Sequence, residues 1–445
     1  MRLSLGGHRR ACRPSIDRGM ETMSCPLDGI RVLDLSRVLA GPWASQTLAD
    51  LGAEVIKVER PGSGDDTRSW GAPFATDARG KATNDSAYFL STNRGKKSVA
   101  IDITDPQGQK AIRELARTSD VLIENFKVGG LAKYGLDYGT LTQINPGLVY
   151  CSITGFGQTG PYRDRAGYDF MVQGLGGLMS VTGAPDSTSG GEPMKVGVAV
   201  ADIFTGLYAT IGILAALRHR EQTGRGDYID MALLDVQVAV LANQAMNYLV
   251  SGVSPARLGN AHPNIVPYQT FATSDGHFIL AVGNDSQFRR FCETAGCPEL
   301  ADNELFANNA ARVANREALV PLIEAQTRTR PTGRWVADLE VAGVPCGPIN
   351  DLEAVFADEQ VRHRGLRLDL PRAVAGTVPS VACPIRFLHA NLNLRNGPPS
   401  LGEHTREVLG NLFDSDARGA QSHGQGTLHP ASGGKAARFS QEPDG

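Results

Sequence analysis

Ile30-Arg-Val-Leu-Asp-Leu35, the Gly41-Pro42 pair and then Glu54-Val-Ile-Lys-Val-Glu59 form the stretch that decides the fold. Two short aliphatic runs flank a segment near Ala44–Leu51 with helical spacing. A strand, a Gly-Pro turn, a helix and a second strand in immediate succession make a β-α-β unit. The alternation continues outward. Ser98-Val-Ala-Ile-Asp102 reads as a third strand, followed by a helix opened by Pro106 and running to about Arg117. Asp120-Val-Leu-Ile-Glu124 and Leu148-Val-Tyr-Cys-Ser-Ile153 read as further strands. Asp227–Met231 is another, and a long helix over about Leu233–Val250 follows it. Short aliphatic strands alternating with helices predict an α/β fold on a mostly parallel, doubly wound sheet.

The character changes at Ser251–Pro267, which is loop-rich. Tyr268 to Val282 then reads as a β-hairpin turning at Ser274-Asp-Gly276. Polar-patterned helices follow to about Ala342, so residues 251–345 read as a smaller α+β domain. Beyond Val344-Pro-Cys-Gly-Pro348 come short elements and a last helix over about Glu403–Leu412. Residues 413–445, rich in Gly, Ser, Gln and His, hold too few large apolar residues for a core and are expected to be disordered. Residues 1–23 are a basic extension. It resembles a transit peptide in charge but lacks an amphipathic stripe, and a true start at Met23 explains it equally well.

Composition narrows the function classes. A net charge of −3 predicts neither nucleic-acid nor membrane binding. The apolar run around Ile203–Leu217 is interrupted by Thr205, Gly206, Tyr208, Thr210 and Gly212 and reads as a core helix. The seven cysteines are scattered without zinc spacing, which predicts a reducing, cytoplasmic location and no metal. A mitochondrial-type matrix would follow if the extension is a transit peptide.

Asp202 is the candidate nucleophile. Val196-Gly-Val-Ala-Val-Ala-Asp202 delivers one carboxylate to the start of the apolar helix. Backbone N–H groups at a helix start favour an ionised Asp, and a partly desolvated carboxylate can attack a carbonyl. The competing reading is an ordinary N-cap.

Other signals are weaker. Gly155-Phe-Gly-Gln-Thr-Gly160 is a literal dinucleotide fingerprint, but Pro161 follows where a helix must open, so it reads as a structural loop. Gly62-Ser-Gly-Asp-Asp-Thr-Arg68 reads as a phosphate cradle or a surface turn. Asn93-Arg-Gly-Lys-Lys97 is a solvated strand entry or an anion contact. No Walker A, G-x-S-x-G or H-E-x-x-H motif occurs.

Taken together, these stretches resemble the class III CoA-transferases, which include the α-methylacyl-CoA racemases. Pro26-Leu-Asp-Gly-Ile-Arg-Val-Leu-Asp34, Arg37-Val-Leu-Ala-Gly-Pro42, Leu51 to Arg60, Asn93 to Ser98, Asp120 to Phe126, Ala201-Asp202 with Thr223-Gly-Arg-Gly226, and Leu401-Gly-Glu-His404 carry the resemblance, in order, over roughly Pro26–Leu412. Ser152 to Pro161, Arg165 to Asp169 and Ile265-Val-Pro-Tyr-Gln269 are most similar to the succinyl-CoA:glutarate (hydroxymethylglutarate) branch.

The resemblance implies a Rossmann-like large domain (24–250), the small domain (251–345), a return segment to the large domain (346–412), and two open rings interlocked as a homodimer. It places the catalytic Asp on Asp202. It places CoA contacts on Leu39, Ala40, Arg60, Ile101, Thr104, Asn125, Phe126 and Lys133, with Tyr168 lining the pocket; Arg94 is added as a further anion contact. Acyl-CoA and a carboxylic acid would be substrates, with no permanent cofactor. The racemases carry His where this chain has Tyr168. A phenol with a pKa of about 10 shuttles protons poorly near neutrality, so transfer is favoured over the alternative, α-proton exchange. The formyl-CoA transferases carry a Gly-rich flap where this chain has His262-Pro-Asn-Ile-Val-Pro267, which disfavours oxalate or formate chemistry.

Overall fold

A computed structural model describes residues 24–77, 79–374 and 376–410. The expectations for residues 1–23 and 413–445, and for the end of the last helix, lie outside the described residues.

The central sheet holds β1 (Arg31–Asp34), β2 (Glu54–Glu59), β3 (Lys96–Ala100), β4 (Val121–Glu124), β5 (Val149–Thr154) and β6 (Tyr228–Ala232). All neighbours are parallel and the spatial order is β3-β2-β1-β4-β5-β6. This is the doubly wound dinucleotide-fold order, in which the chain reverses direction between β1 and β4. Alternate residues feed opposite faces, as the strand period requires. Val32, Val55, Val121, Ile123, Val149 and Cys151 join one buried cluster; Leu33, Ile56, Leu122 and Tyr150 join the other. The first face is covered by α1 (Ala40–Asp50) and α5 (Val200–Thr223), the second by α2 (Pro106–Arg117) and α3 (Tyr138–Ile144).

Helix α1 begins at Ala40, earlier than the sequence suggests. Pro42 does not stop it, because a first-turn residue needs no intrahelical N–H partner. Gly41 is required there: a Cβ would lie 2.3 Å from the Ser36 side chain. The helix expected over Leu233–Val250 divides into α6 (Leu233–Ala239) and α7 (Ala242–Ser251), with Ala242 at φ 48°. Helix α5 is long and apolar enough, by composition alone, to cross a membrane. One side of it packs on α1 through Thr205, Gly206, Ala209 and Ile213.

A separate apolar cluster within residues 266–344 surrounds Phe278, Phe288, Phe291 and Trp335. It is built on an antiparallel sheet of β7 (Tyr268–Ala272), β8 (His277–Ala281) and β9 (Cys346–Pro348). Thr273 donates to the Gly276 carbonyl in the expected hairpin turn.

The chain then meets the central sheet again. Hairpin β10 (Arg367–Arg372) and β11 (Gly376–Val381) places Arg372 against Asp85. Asp85 also pairs with Arg68, and Arg68 with Glu59. Further on, His404 donates its N–H to the Ser98 carbonyl, and Thr405 accepts from Ala100. Lys57–Asp65 and Lys96–Asp34 extend the buried charges beneath the sheet ends. Burial opposes ionisation of Asp34, but Lys96, Lys57 and two serine hydroxyls hold it down at about 2. The charges are viable there only because each is paired.

Candidate active site

Open parallel sheets bind ligands outside the carboxyl ends of their strands, where the winding reverses. A cleft of about 960 Å³ opens at that place. Its floor is Leu35 and Arg37–Ala40 after β1 and Asn125–Val128 after β4; Arg60, Ile101–Thr104 and Thr154-Gly155 follow β2, β3 and β5. Asn125 ties the two central loops together. Its Oδ1 accepts from the Arg37 N–H at 2.9 Å and its Nδ2 donates to the Arg37 carbonyl at 2.7 Å. The next residue, Val38, is held at φ 72°, a strained conformation for a β-branched side chain.

The cleft gathers Leu39, Ala40, Arg60, Ile101, Thr104, Asn125, Phe126, Lys133, Tyr168 and Asp202. Tyr168 is 66% exposed at its edge. Arg94 stands elsewhere and corrects the expectation of an anion contact. It is 6% exposed, and its guanidinium pairs with Asp50 through Nε at 2.8 Å and through Nη2. Adjacent Lys96 is fully buried against Asp34. The basic cluster at the entry of β3 is therefore internal ion pairing.

Asp202 is not an N-cap. Helix α5 begins at Val200, its cap residue is Ala199, and Asp202 lies inside the first turn. The cap comes from Asp169, the first residue of α4 (Asp169–Leu175). Asp169 Oδ1 accepts from the Ala201 N–H at 2.8 Å and, less closely, from the Asp202 N–H at 3.4 Å. Burial, and then the charge of Asp169, push the Asp202 carboxyl up to about 7. The helix-end N–H groups are thus engaged by Asp169, and the expected stabilisation of ionised Asp202 is not what this geometry supplies.

Several cleft residues were not among the expected contacts. Arg37 pairs with Asp66 at 2.9 Å and lies over the Phe126 ring. Arg163 and Arg165 join from the loop after β5, and Trp70 lines the wall. Tyr88 packs edge-on against Trp70, its phenol pushed up to about 12 by burial and then by Asp202 and Asp169. The Gly155–Gly160 stretch is a loop: Gly155 meets Gly167 backbone to backbone, where a Cβ would come within 2.5 Å. Both glycines line the cleft. A second hollow of about 600 Å³ lies at the other end of β2 and β3, with no access to Asp202.

Residues 27–405 match the model of CoA-transferase family III. This chain belongs to that family. The succinate–glutarate CoA-transferase of Agrobacterium fabrum is 56% identical over 387 residues, covering 87% of this chain and 96% of that protein. The succinyl-CoA:glutarate CoA-transferase of Mus musculus is 45% identical over 88% of this chain and 87% of its own length. The crystal structure of a CAIB/BAIF family protein from Brucella suis superposes with a TM-score of 0.77 at 54% identity, covering 87% of this chain and 100% of that one. The chain is a CoA-transferase, and its substrates are an acyl-CoA and a carboxylic acid. The basic residues around the cleft, Arg60 and Lys133 among them, suit the phosphates of CoA.

Proposed function

We propose that this transferase moves CoA between succinyl-CoA and glutarate, with Asp202 as the nucleophile. The observation that carries the reading is the Asp202 carboxyl, raised by burial, in the cleft that also holds Arg60, Asn125 and Lys133. The names borne by the relatives support the substrate pair.

In this reading an Asp202 carboxylate oxygen attacks the succinyl thioester carbonyl. The C–S bond breaks, CoA leaves as thiolate, and a mixed anhydride joins succinyl to Asp202. The thiolate then attacks Cγ of Asp202, forming an aspartyl-CoA thioester and expelling succinate. Glutarate repeats the two steps in reverse, so no thioester is lost to water. Ala40 lines the cleft at the uncapped amino end of α1, which suits an oxyanion. Arg60, Lys133, Asn125, Phe126, Leu39, Ile101 and Thr104 hold the CoA, and Tyr168 borders the acyl end.

The working assembly in this reading is a homodimer of two-domain chains, divided as residues 24–250 with 346–412 and 251–345. Phe204, Leu207, Tyr208 and Ile211 leave one side of α5 exposed, Ile211 by 60%. Met246, Leu249 and Val250 do the same on α7. Apolar faces this continuous call for a partner, and a second copy supplies one. The six free cysteines among the described residues fit a reducing, cytoplasmic compartment.

The test is mass spectrometry of reactions holding succinyl-CoA and a panel of short dicarboxylates. Glutaryl-CoA formed with total thioester conserved supports the reading. Glutarate left untouched while another acid is converted removes the substrate assignment. Deuterium entering a 2-methylacyl-CoA with no acceptor acid present removes transfer as the principal chemistry.

A further inference from the structure

Asp169 follows the cleft-lining Tyr168, and its carboxylate is spent on a neighbouring helix. Oδ1 holds the Ala201 N–H at 2.8 Å and the Asp202 N–H at 3.4 Å, while Oδ2 accepts from Gln173 Nε2 at 2.7 Å. The residue at the cap position of α5, Ala199, has no side-chain acceptor. One carboxylate thus fixes the turn bearing the nucleophile and places a negative charge beside it.

We propose that Asp169 is a positioning residue for the transfer: it orients the first turn of α5, and its charge directs how the mixed anhydride at Asp202 breaks down. The proposal rests on the reading of Asp202 as nucleophile.

The anhydride has two carbonyls open to the CoA thiolate. Attack at Cγ of Asp202 forms the aspartyl C–S bond, breaks the bond from Cγ to the bridging oxygen, and releases the donor acid as its carboxylate with the electron pair. Attack at the acyl carbonyl re-forms the acyl-CoA and returns the electron pair to Asp202. The weaker base leaves more readily. A free aliphatic carboxylic acid has a pKa of about 4.3, whereas Asp202 is held at about 7. The donor acid is therefore the better leaving group, so the anhydride formed in either half of the cycle favours the aspartyl-CoA thioester.

Asp169 is the group placed to do this. The elements packed against α5 are α1, α4, α6, β5 and β6. Their charged residues are Asp50, Asp169, Asp230 and Asp235, and none carries Lys, Arg or His. Asp50 is neutralised by Arg94. Of these carboxylates only Asp169 contributes to the rise at Asp202; Tyr88 faces both. No cation forms an ion pair with Asp202 among the described residues.

The experiment is the pH profile of kcat/KM for Asp169→Asn and Asp169→Glu, with Asp202→Asn in parallel. Asn still accepts the helix N–H bonds but is neutral. Its acid limb should move to lower pH by about one unit, the scale of a single nearby like charge. Glu keeps the charge, so its limb should stay at the wild-type position even where the rate falls. A purely structural role would lower the rate in both and move neither limb. An unmoved limb in Asp169→Asn overturns the inference. If that variant does not fold, a limb displaced to lower pH in Asp169→Glu overturns it instead. Active Asp202→Asn would remove the nucleophile reading itself, whereas inactive Asp202→Asn with an unmoved Asp169→Asn limb removes this inference alone.

Discussion

The Asp169 carboxylate, not that of Asp202, accepts the hydrogen bonds at the amino end of α5, at 2.8 Å from Ala201 and 3.4 Å from Asp202. The helix-end field therefore serves Asp169, and Asp202 is left as a desolvated carboxyl beside a like charge. This arrangement trades stability for reactivity at one residue.

Asp202→Asn tests that trade. A carboxyl at about 7 in the folded chain and about 3.9 unfolded means the folded state binds more protons between those values. Stability attributable to Asp202 is thus fully present at low pH and falls as pH rises toward 7. Asparagine removes the penalty. The variant should melt a few degrees higher than wild type at pH 8, at about 1 °C for each kcal/mol in a chain of this size. The gain should shrink toward pH 4. Thermal unfolding at both pH values measures it, and an Asn variant less stable at pH 8 contradicts the account.

Asn125→Ala should loosen the junction between β1 and β4. Two hydrogen bonds to the Arg37 peptide disappear, at a cost of roughly 1–3 kcal/mol where partners stay buried. Val38 then relaxes from its strained φ, and the residues that follow it lose their position in the cleft. We expect kcat/KM to fall by about 10–100-fold with a smaller loss in thermal stability. Steady-state kinetics beside a melting curve separates the two.

Arg60→Ala and Lys133→Ala should act on CoA binding. Both side chains line the cleft from exposed positions and carry no ion pair among the described residues. Loss of one charge-assisted phosphate contact is on the order of 1–3 kcal/mol. KM for the acyl-CoA should rise about tenfold or more, with kcat little changed and a weaker salt dependence. A change in kcat alone would place these residues elsewhere in the reaction.

Arg94→Met should behave in the opposite way. Breaking its buried pair leaves Asp50 charged and unpaired, which costs on the order of 3–5 kcal/mol. Denaturant unfolding should show that loss, while the KM for CoA of the folded fraction stays near wild type. A large rise in KM without loss of stability would restore Arg94 as an anion contact.

The strands could be read from sequence because each is a short aliphatic run whose alternate residues reach two buried faces, as at Val32 and Leu33. Cleft residues next to those strands were legible through family-like motifs, Asn125 and Phe126 among them. Arg94 was misread because a charged residue in Asn93-Arg-Gly-Lys-Lys97 looks solvent-facing, and only the fold brings Asp50 to it. The cap of α5 was misread because its donor and acceptor lie 32 residues apart. Trp70 and Arg163 gave no signal, since nothing in a local pattern says that separate loops converge. The break between α6 and α7 is a backbone event at Ala242, a residue that otherwise favours helix.

The most direct measurement is to incubate the protein with succinyl-CoA, quench with hydroxylamine and map the trapped acyl group by peptide mass spectrometry. The account predicts an aspartyl hydroxamate at Asp202 and nowhere else, absent without the donor. Sustained CoA transfer with Asp202 unmodified, or a hydroxamate at another carboxylate, would contradict it.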